Sequence, residues 1–439
     1  MSRVNTKEIG VALLGFGTVG AGVVETLQKN GSLLAARLGV RPVLRGIADL
    51  DLTSDRGVSV EPGLLTTDGA ALIARPDVQV VVELIGGSGV AKDFVLQALK
   101  LGKPVVTANK KLLAEHGAEL HRVAEENKTE ILFEASVGGG IPIIKALREG
   151  LCANRIECMY GILNGTCNYI LTRMEDEKLP FDDVLKAAQA AGYAEAEPSL
   201  DIDGHDTAHN AVVLASLAYG CEVPLDKVNV AGIRGLAAAD IAYAAEMGYR
   251  IKLLAIIRGG PDGVEVSVQP TLVEHTHQLA AVAGVYNAVL VVGDVVGTTL
   301  YYGRGAGRAA TASAVVADLA DAALNLRSGG RRRDLGTAHA QSPVPLRNPG
   351  DIVARNYLRF SMRDEPGSLA RVATALGAHG IGIDSVMQQE APRNAEYVPV
   401  IIVTGPAKDR EIAAALAEIS HIAGVTDRPT VRYRIEDFD

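Results

Sequence analysis

The chain has 439 residues, 48% of them hydrophobic and 22% charged, a composition typical of folded globular proteins rather than of disordered or fibrous ones. Its length favours two or three domains, and the net charge of -9 argues against nucleic acid and anionic membranes as partners. The four cysteines lack CxxC spacing, and neither a signal region nor an apolar run of membrane-spanning length is found. We therefore expect a reduced, cytoplasmic protein without a membrane span.

The N-terminal third alternates strands with helices. An apolar run at Ile9–Leu14 leads into a glycine-rich turn, and Val19–Leu27 continues with helical spacing. Further strands are predicted at Val43–Ala48, Val78–Leu84, Pro104–Thr107 and Glu130–Phe133, with helices at Thr67–Ala74, Ala91–Leu101 and Lys111–Glu126. This alternation indicates a parallel, doubly wound sheet in a Rossmann-type α/β domain, whose ligand lies at the carboxyl ends of the strands.

The glycine-rich turn after the first strand has the spacing of a dinucleotide-binding turn. Its first glycine allows the tight turn, its second lets the backbone approach a pyrophosphate, and its third permits close packing of helix on strand. The position of the turn, between a predicted strand and a predicted helix, supports this interpretation. We predict that NAD or NADP is bound by Gly15, Phe16, Gly17, Thr18, Val19 and Gly20.

Residues near the end of the second strand bear on the choice of cofactor. Asp49 could accept the ribose hydroxyls of NAD, although it comes later than usual because of an inserted stretch at residues 31–41. Arg45 or Arg56 could instead pair with the 2′-phosphate of NADP. The sequence leaves both cofactors open.

From about Gly138 the alternation of strands and helices gives way to glycine-rich turns, paired acidic residues and longer helical patterns. Helical patterns at Phe181–Ala191 and Thr207–Tyr219 and strand-like runs at Val264–Val268 and Val289–Val292 predict an α+β domain for substrate binding and dimerisation. An Ala-rich helix at Ala309–Leu326 is expected to pack back on the first domain. The predicted domains are therefore 1–137 with about 309–330, then 138–308, a linker at 331–350, and 351–439.

The last segment predicts a compact βαββαβ unit. Its strands are expected at Asn356–Met362, Gly382–Gln388, Glu396–Thr404 and Thr426–Ile435, and its helices at Ser368–His379 and Asp409–Ser420. Asp364 and Gly367 lie at the first strand-to-helix turn, where backbone amides can face a carboxylate. The pattern resembles the ACT domain, a small amino-acid-sensing module.

Six segments resemble homoserine dehydrogenases. They are GFGTVG at 15–20, VTANK at 106–110, EASVGGGIPI at 134–143, NGTCNY at 164–169, GYAEAEP at 192–198 and GYRIKLL at 248–254. The resemblance implies NAD(P)-dependent interconversion of L-homoserine and L-aspartate 4-semialdehyde, in the biosynthesis of threonine, methionine and isoleucine. It also implies L-threonine as a ligand of the ACT unit at Asp364 and Gly367. We expect a homodimer or homotetramer, because a four-stranded sheet of this kind exposes an edge that pairing would cover. A dimerisation module without a ligand is the alternative for that unit.

Several site residues follow from this resemblance and from the position of Lys110 at the carboxyl edge of the sheet, where a cation can meet the nicotinamide or the reacting oxygen. The resemblance implies that Glu195 and Asp206 bind the substrate ammonium and hydroxyl groups, with Asp201 nearby. It further assigns the substrate side to Asn164, Gly165, Thr166 and Tyr193, and the cofactor side to Gly86, Lys110 and Gly307.

Position 210 departs from the family pattern. The family places its proton-transfer lysine four residues after the aspartate equivalent to Asp206, and this chain has Asn210 there. An amide can orient a hydroxyl group but does not titrate near neutral pH. Three interpretations stay open: Lys110 or a water molecule carries the proton, His205 or His209 replaces the lysine, or the chain is a weakened enzyme or a catalytically silent dinucleotide and amino-acid sensor.

The glycine-rich segment after residue 133 resembles the family's monovalent cation loop. By that resemblance Glu134, Val137, Gly139 and Ile141 would hold a sodium or potassium ion through carboxylate and carbonyl oxygens, the ligands that hard cations prefer. The alternative is a loop that only closes the domain.

Overall fold

A computed structural model describes residues 7–329, 345–389 and 395–438. Within these residues the chain forms two compact units. The first unit contains Met1–Gly165, Asp206–Val228 and Val285–Val344, and the second contains Thr166–His205, Asn229–Gly284 and Pro345–Asp439. Residues 331–344 of the predicted linker lie outside the described residues, and the domain boundaries given above stay predictions.

The N-terminal part of the first unit has the predicted alternation of strands and helices. Its elements are β1 (Lys7–Leu14), α1 (Thr18–Leu38), β2 (Val40–Ala48), β3 (Leu65–Thr66), α2 (Gly69–Ala74), β4 (Val80–Glu83), α3 (Val90–Lys100), β5 (Val105–Thr107), α4 (Lys110–Glu126) and β6 (Ile131–Leu132).

These six strands form one parallel sheet in the order β3-β2-β1-β4-β5-β6. The chain proceeds outward from β1 to β3 and then returns to β4 on the other side of β1. The switch point between β1 and β4 is where doubly wound sheets bind their ligands, because the following loops diverge there and leave a crevice. The predicted Rossmann-type sheet is confirmed.

Helix α1 is longer than predicted. It continues to Leu38 and ends at Gly39, whose φ of 64° allows the left-handed turn. Most of the stretch at 31–41 that was interpreted as an insertion is therefore the second half of this helix. Gly31 weakens the helical pattern by about 1 kcal/mol, and the packing of α1 on a helix from the C-terminal side of this unit offsets that loss.

The middle of the chain contributes elements to both units. They are α5 (Ile143–Lys145), β7 (Ile156–Ile162), α6 (Gly165–Glu177), α7 (Phe181–Ala190), α8 (Ser199–Ile202), α9 (His205–Tyr219), β8 (Asn229–Val230), α10 (Ala238–Glu246), β9 (Tyr249–Gly260), β10 (Gly263–Glu274), β11 (Tyr286–Gly293), β12 (Gly297–Arg304) and α11 (Arg308–Ser328). In the first unit, β7, β11 and β12 are antiparallel neighbours. In the second, β9 and β10 form a long antiparallel hairpin. Strands β7, β8, β9 and β12 and helices α5, α6, α8 and α10 were not predicted.

Helix α11 completes the core beside the parallel sheet. By length and composition alone, it is the one helix among the described residues that could cross a membrane, and half of its apolar window is buried in the structure. Ala312, Val315 and Leu319 lie in the same hydrophobic cluster as Leu13 and Val23. The apolar character of α11 is therefore accounted for by packing against β1 and α1.

The C-terminal part of the second unit has the predicted βαββαβ order. Its elements are β13 (Val353–Arg363), α12 (Ser368–Ala378), β14 (Ile383–Gln388), β15 (Tyr397–Thr404), β16 (Ala407–Lys408), α13 (Asp409–Ser420) and β17 (Val431–Ile435). The strands are ordered β17-β13-β15-β14, and β17 continues as a parallel neighbour of β10. Buried Asp240 of α10 accepts hydrogen bonds from Tyr357 and Arg359 of β13. The C-terminal βαββαβ unit is thus continuous with the β9–β10 hairpin.

Candidate active site

The glycine-rich turn has the close contacts that its spacing predicted. Gly15 has a φ of 95°, and its main-chain N–H donates to the carbonyl of Ala48 at 2.8 Å. A Cβ atom at Gly15 would lie 2.6 Å from the carbonyl oxygen of Leu84, and one at Gly20 would lie 2.2 Å from that of Gly15. Neither position can take a side chain without moving the backbone.

Gly17 differs from the other two glycines because the space beside it is open. It precedes α1, and no heavy atom lies within 4 Å of where its Cβ would be. The first turn of α1 contains no acidic residue, so its main-chain N–H groups are available to an anion. Thr18 is exposed beside it, while Phe16 and Val19 anchor the turn in the core. This opening fits the pyrophosphate of a dinucleotide.

Asp49 holds the glycine-rich turn directly. Its Oδ2 accepts the main-chain N–H of Phe16 at 2.5 Å, and its Oδ1 accepts that of Asp51 at 2.9 Å. Arg56 donates to the carboxylate of Asp51 at 2.9 Å. A 2′-phosphate would therefore compete with Asp51 for Arg56, whereas ribose hydroxyls would share Asp49 with the turn.

A further cation, Arg308, was missed in the sequence. It follows Gly307, which precedes α11 with a φ of 116°. The guanidinium of Arg308 donates to the main-chain carbonyl of Arg56 at 2.8 Å and forms an ion pair with the carboxylate of Glu25 at 3.0 Å. The beginning of α11 therefore lies against the loop that carries Arg56. The signal was only an arginine after a glycine-rich turn, and its place depends on the docking of α11.

Lys110 and Asp206, which are 96 positions apart in the sequence, form an ion pair in the first unit. The Nζ of Lys110 lies 2.6 Å from Oδ1 of Asp206, and the amide of Asn164 donates to Oδ2 of Asp206 at 3.1 Å. Asp206 is 8% exposed and about a third of the Lys110 side chain is exposed. One carboxylate thus faces a cation and a neutral donor at the edge of the parallel sheet. Gly165 follows Asn164, and a Cβ atom there would lie 2.9 Å from the carbonyl oxygen of Val285.

Asn210 is buried one turn after Asp206. Its side-chain amide donates to the main-chain carbonyl of Asp206 at 2.8 Å, within helix α9. The amide is therefore committed to the helix backbone and has no proton to exchange near neutral pH.

The two histidines considered as replacements have different environments. His209 is buried in the first unit, and burial lowers its pKa while the charge of Asp206 opposes that effect. The net effect is a pKa below the usual value of an imidazole, which disfavours the protonated form of His209. His205 is exposed and belongs to the second unit.

Four predicted substrate residues lie in the second unit. The hydroxyl of Thr166 donates to the main-chain carbonyl of Tyr193 at 2.8 Å. The ring centroids of Tyr193 and Tyr169 are 4.6 Å apart. The thiol of Cys167 donates to the carbonyl of Asp201 at 3.2 Å. These contacts join the start of α6 to the segment that contains Glu195, whose side chain is exposed.

The predicted cation loop is compact and buried. Both carboxylate oxygens of Glu134 accept main-chain N–H groups, from Ile144 at 2.9 Å and Lys145 at 2.8 Å, and burial raises the pKa of Glu134. Val137 and Ile141 are buried, and a Cβ at Gly139 would lie 2.1 Å from the carbonyl oxygen of Gly305. Within the described part of the chain, no group of three or more His, Cys, Asp or Glu residues could hold a metal. An ion here would depend on carbonyl ligands.

At the C-terminal module, Gly367 adopts a φ of 92° immediately before α12, and Asp364 is exposed at the same turn. No heavy atom lies within 4 Å of the Cβ position of Gly367. The beginning of α12 is thus open, as a carboxylate-binding turn requires.

Comparisons with known proteins identify the family of this chain. Family models described as homoserine dehydrogenase, as its NAD binding domain and as the ACT domain match residues 142–320, 15–134 and 356–421. The homoserine dehydrogenase of Pseudomonas aeruginosa is 44% identical over 99% of this chain and 100% of its own length.

Among solved structures, a homoserine dehydrogenase from Thiobacillus denitrificans is 41% identical, covers 99% of both chains and has a TM-score of 0.93. A hyperthermophilic archaeal homoserine dehydrogenase in complex with NADPH is 28% identical, with a TM-score of 0.63 over 72% of this chain and 98% of its own. The predicted family and the predicted NAD(P)-binding and ACT domains are confirmed. The chain belongs to the homoserine dehydrogenase family of oxidoreductases, which act on the CH–OH group of homoserine.

Proposed function

We propose that the reaction takes place at the Lys110–Asp206 pair and that Lys110 moves the hydroxyl proton. The observation that carries this proposal is the 2.6 Å ion pair between the two side chains at the carboxyl edge of the sheet, with Asn164 on the second carboxylate oxygen. That edge is also where the glycine-rich turn opens, so cofactor and reacting groups share one end of the sheet.

Oxidation of a primary alcohol removes a hydride from carbon and a proton from oxygen. When bound, the nicotinamide supplies the hydride acceptor. The charge of Lys110 stabilises the negative charge that develops on the substrate oxygen, and its amine exchanges the proton. Asp206 orients Lys110 and offers an acceptor to the substrate, and Asn164 keeps the carboxylate in place.

Asn210 does not take the proton, because its amide is held by the carbonyl of Asp206. His209 is the second candidate, because its buried ring lies near enough to Asp206 and Lys110 for both charges to act on its pKa. A catalytically silent sensor is the third candidate, and Asn210 is the feature that favours it. Glu195, Asp201, Thr166 and Tyr193 stay predicted substrate residues.

We also propose roles for the parts that regulate the reaction. The ACT module takes an amino acid at the turn of Asp364 and Gly367, with L-threonine as the predicted ligand, because the start of α12 is open there. We propose NAD or NADP as the cofactor without choosing between them, because Asp49 already accepts the N–H of Phe16 and Arg56 already pairs with Asp51. The sodium or potassium ion at residues 134–141, the homodimer or homotetramer and the cytoplasmic location also stay predictions.

The proposal is tested by measuring homoserine oxidation at 340 nm with NAD and with NADP. Lys110→Met should lower kcat by about 100-fold or more, the usual contribution of a general acid or base. Lys111→Met is the matched control, because Lys111 is the next residue and its half-exposed side chain pairs only loosely with Glu115 at 3.8 Å. Equal activity of the two variants would refute the role of Lys110.

The same assay separates the alternatives. Loss of activity in His209→Gln, with Lys110→Met still active, would assign the proton to the histidine. A wild-type protein that binds NADPH without turning over homoserine would be the silent sensor.

A further inference from the structure

Glu83 is a buried carboxylate that the reaction described above does not use. It ends strand β4 at the switch point of the parallel sheet, where it pairs with Leu14 of β1 on one side and Thr107 of β5 on the other. Its side chain is fully buried. A charged group in such a place is costly to bury, by several kcal/mol in proteins, unless its hydrogen bonds are satisfied.

One oxygen of Glu83 holds the loop after β4. Its Oε1 accepts the main-chain N–H groups of Ile85 at 2.8 Å and Gly86 at 3.2 Å. Gly86 and Gly87 both have positive φ, and no heavy atom lies within 4 Å of their Cβ positions. The loop therefore presents an open backbone surface to the crevice, and Glu83 fixes its shape.

The other oxygen connects this loop to the start of α4. Oε2 accepts the hydroxyl of Thr107 at 2.7 Å, and Oγ1 of Thr107 accepts the main-chain N–H of Asn109 at 3.0 Å. The amide of Asn109 donates to the carbonyl of Gly87 at 2.6 Å, and its oxygen caps α4 at Leu112. Lys110 is the first residue of that helix, so the network also sets the position of Lys110.

Glu83 is also a buried carboxylate at the carboxyl end of β4, beside the crevice. The donors described for Glu83 are all neutral, so none of these contacts adds a compensating positive charge. In a doubly wound sheet Asp49 marks the adenosine half of the site at the end of β2, and the nicotinamide half therefore faces the ends of β4 and β5. The oxidised nicotinamide ring has one positive charge, and the reduced ring has none.

We propose that Glu83 is a positioning residue that fixes the nicotinamide wall and, through its charge, favours the oxidised over the reduced cofactor. The inference rests on the proposed cofactor site at this edge of the sheet. Removing the charge should weaken binding of the oxidised form more than that of the reduced form, whereas disturbing only the hydrogen bonds should weaken both alike.

The experiment measures the dissociation constants of NADP⁺ and NADPH for the full-length chain by calorimetry. In Glu83→Gln, the ratio of the NADP⁺ constant to the NADPH constant should rise by about fivefold or more, as expected for loss of one nearby charge. Thr107→Val is the matched control, because it breaks the same network and keeps the charge. Its ratio should stay within about twofold of the wild-type ratio.

The same two dissociation constants measured for Glu83→Asp give a second test, which holds even if Glu83→Gln does not fold. It keeps the charge but shortens the side chain, so both affinities should fall while their ratio stays near that of the wild type. An unchanged ratio in Glu83→Gln, or a changed ratio in Thr107→Val or Glu83→Asp, overturns the inference. Failure of the wild type to bind either cofactor would instead refute the proposed function.

Discussion

The glycine-rich turn allows cofactor binding to be separated from folding by two substitutions of the same size. Gly17→Ala adds a methyl group where no heavy atom lies within 4 Å, so the fold should be unaffected. Gly20→Ala adds one 2.2 Å from the carbonyl oxygen of Gly15, about 0.8 Å closer than real contacts allow. The backbone must move, and we expect a loss of about 1–3 kcal/mol in the free energy of unfolding.

The assay is thermal unfolding with and without NADP⁺ or NADPH. A ligand at about 100 times its dissociation constant stabilises the native state by about 2.7 kcal/mol, which for a unit of this size raises Tm by roughly 5–10 °C. Wild type should show this rise. Gly17→Ala should have the wild-type Tm without cofactor and lose most of the rise, because the methyl group occupies the opening in front of α1. Gly20→Ala should already have a lower Tm without cofactor.

Two outcomes would refute this reasoning. A normal cofactor-dependent rise in Gly17→Ala would mean that the open space beside α1 is not where the pyrophosphate binds. A wild-type Tm in Gly20→Ala would mean that the close approach of α1 to Gly15 is not required by the fold.

Three further predictions concern the rest of the chain. Asn210→Lys should raise kcat by about tenfold if proton transfer limits the rate, with Asn210→Met as the uncharged control, and no increase would show that position 210 is not limiting. Desolvation lowers the pKa of buried Lys252 to about 8, whereas a lysine in the unfolded chain has a pKa of about 10.5. Between these two pH values the unfolded chain binds more protons than the folded one. The free energy of unfolding should therefore rise, by up to about 3 kcal/mol, as pH increases from 8 towards 10.5. Urea titrations should show that rise in the wild type and not in Lys252→Met, and equal slopes would contradict it. Dialysis against choline chloride should lower the activity and potassium chloride restore it, and a rate indifferent to both salts would mean that the Glu134 loop only closes the domain.

The sequence predicted the features that depend on local patterns. Alternating apolar runs and helical spacing identified the parallel sheet, because a strand buried on both faces must be continuously apolar. The positions of Gly15, Gly17 and Gly20 predicted a turn that in the structure is tightly packed at Gly15 and Gly20 and open at Gly17. The family resemblance rested on short segments with chemically specific residues. The order of the C-terminal βαββαβ unit was also predicted from its local pattern of strand-like and helical segments.

Long-range pairing could not be predicted from local patterns. Strands β7, β9 and β12 were missed because antiparallel partners are chosen by tertiary contacts and carry little local signal. The length of α1 was underestimated because Gly31 interrupts a helix that is stabilised by packing on α11. Arg308 was missed because its neighbours, Glu25 and Arg56, lie more than 250 residues away in the chain.

By itself, the sequence determined the fold class, the family and the residue types available for the chemistry, since these are properties of local patterns and of short motifs. Only the tertiary structure decided which of those residues meet. It brought Lys110 to Asp206, turned the amide of Asn210 onto its own helix, and connected Glu83 through Thr107 to the start of α4. The first and third of these contacts join residues that are far apart in the sequence, and the second depends on the direction of a side chain. Neither property can be read from local patterns, because both are decided when the elements pack together.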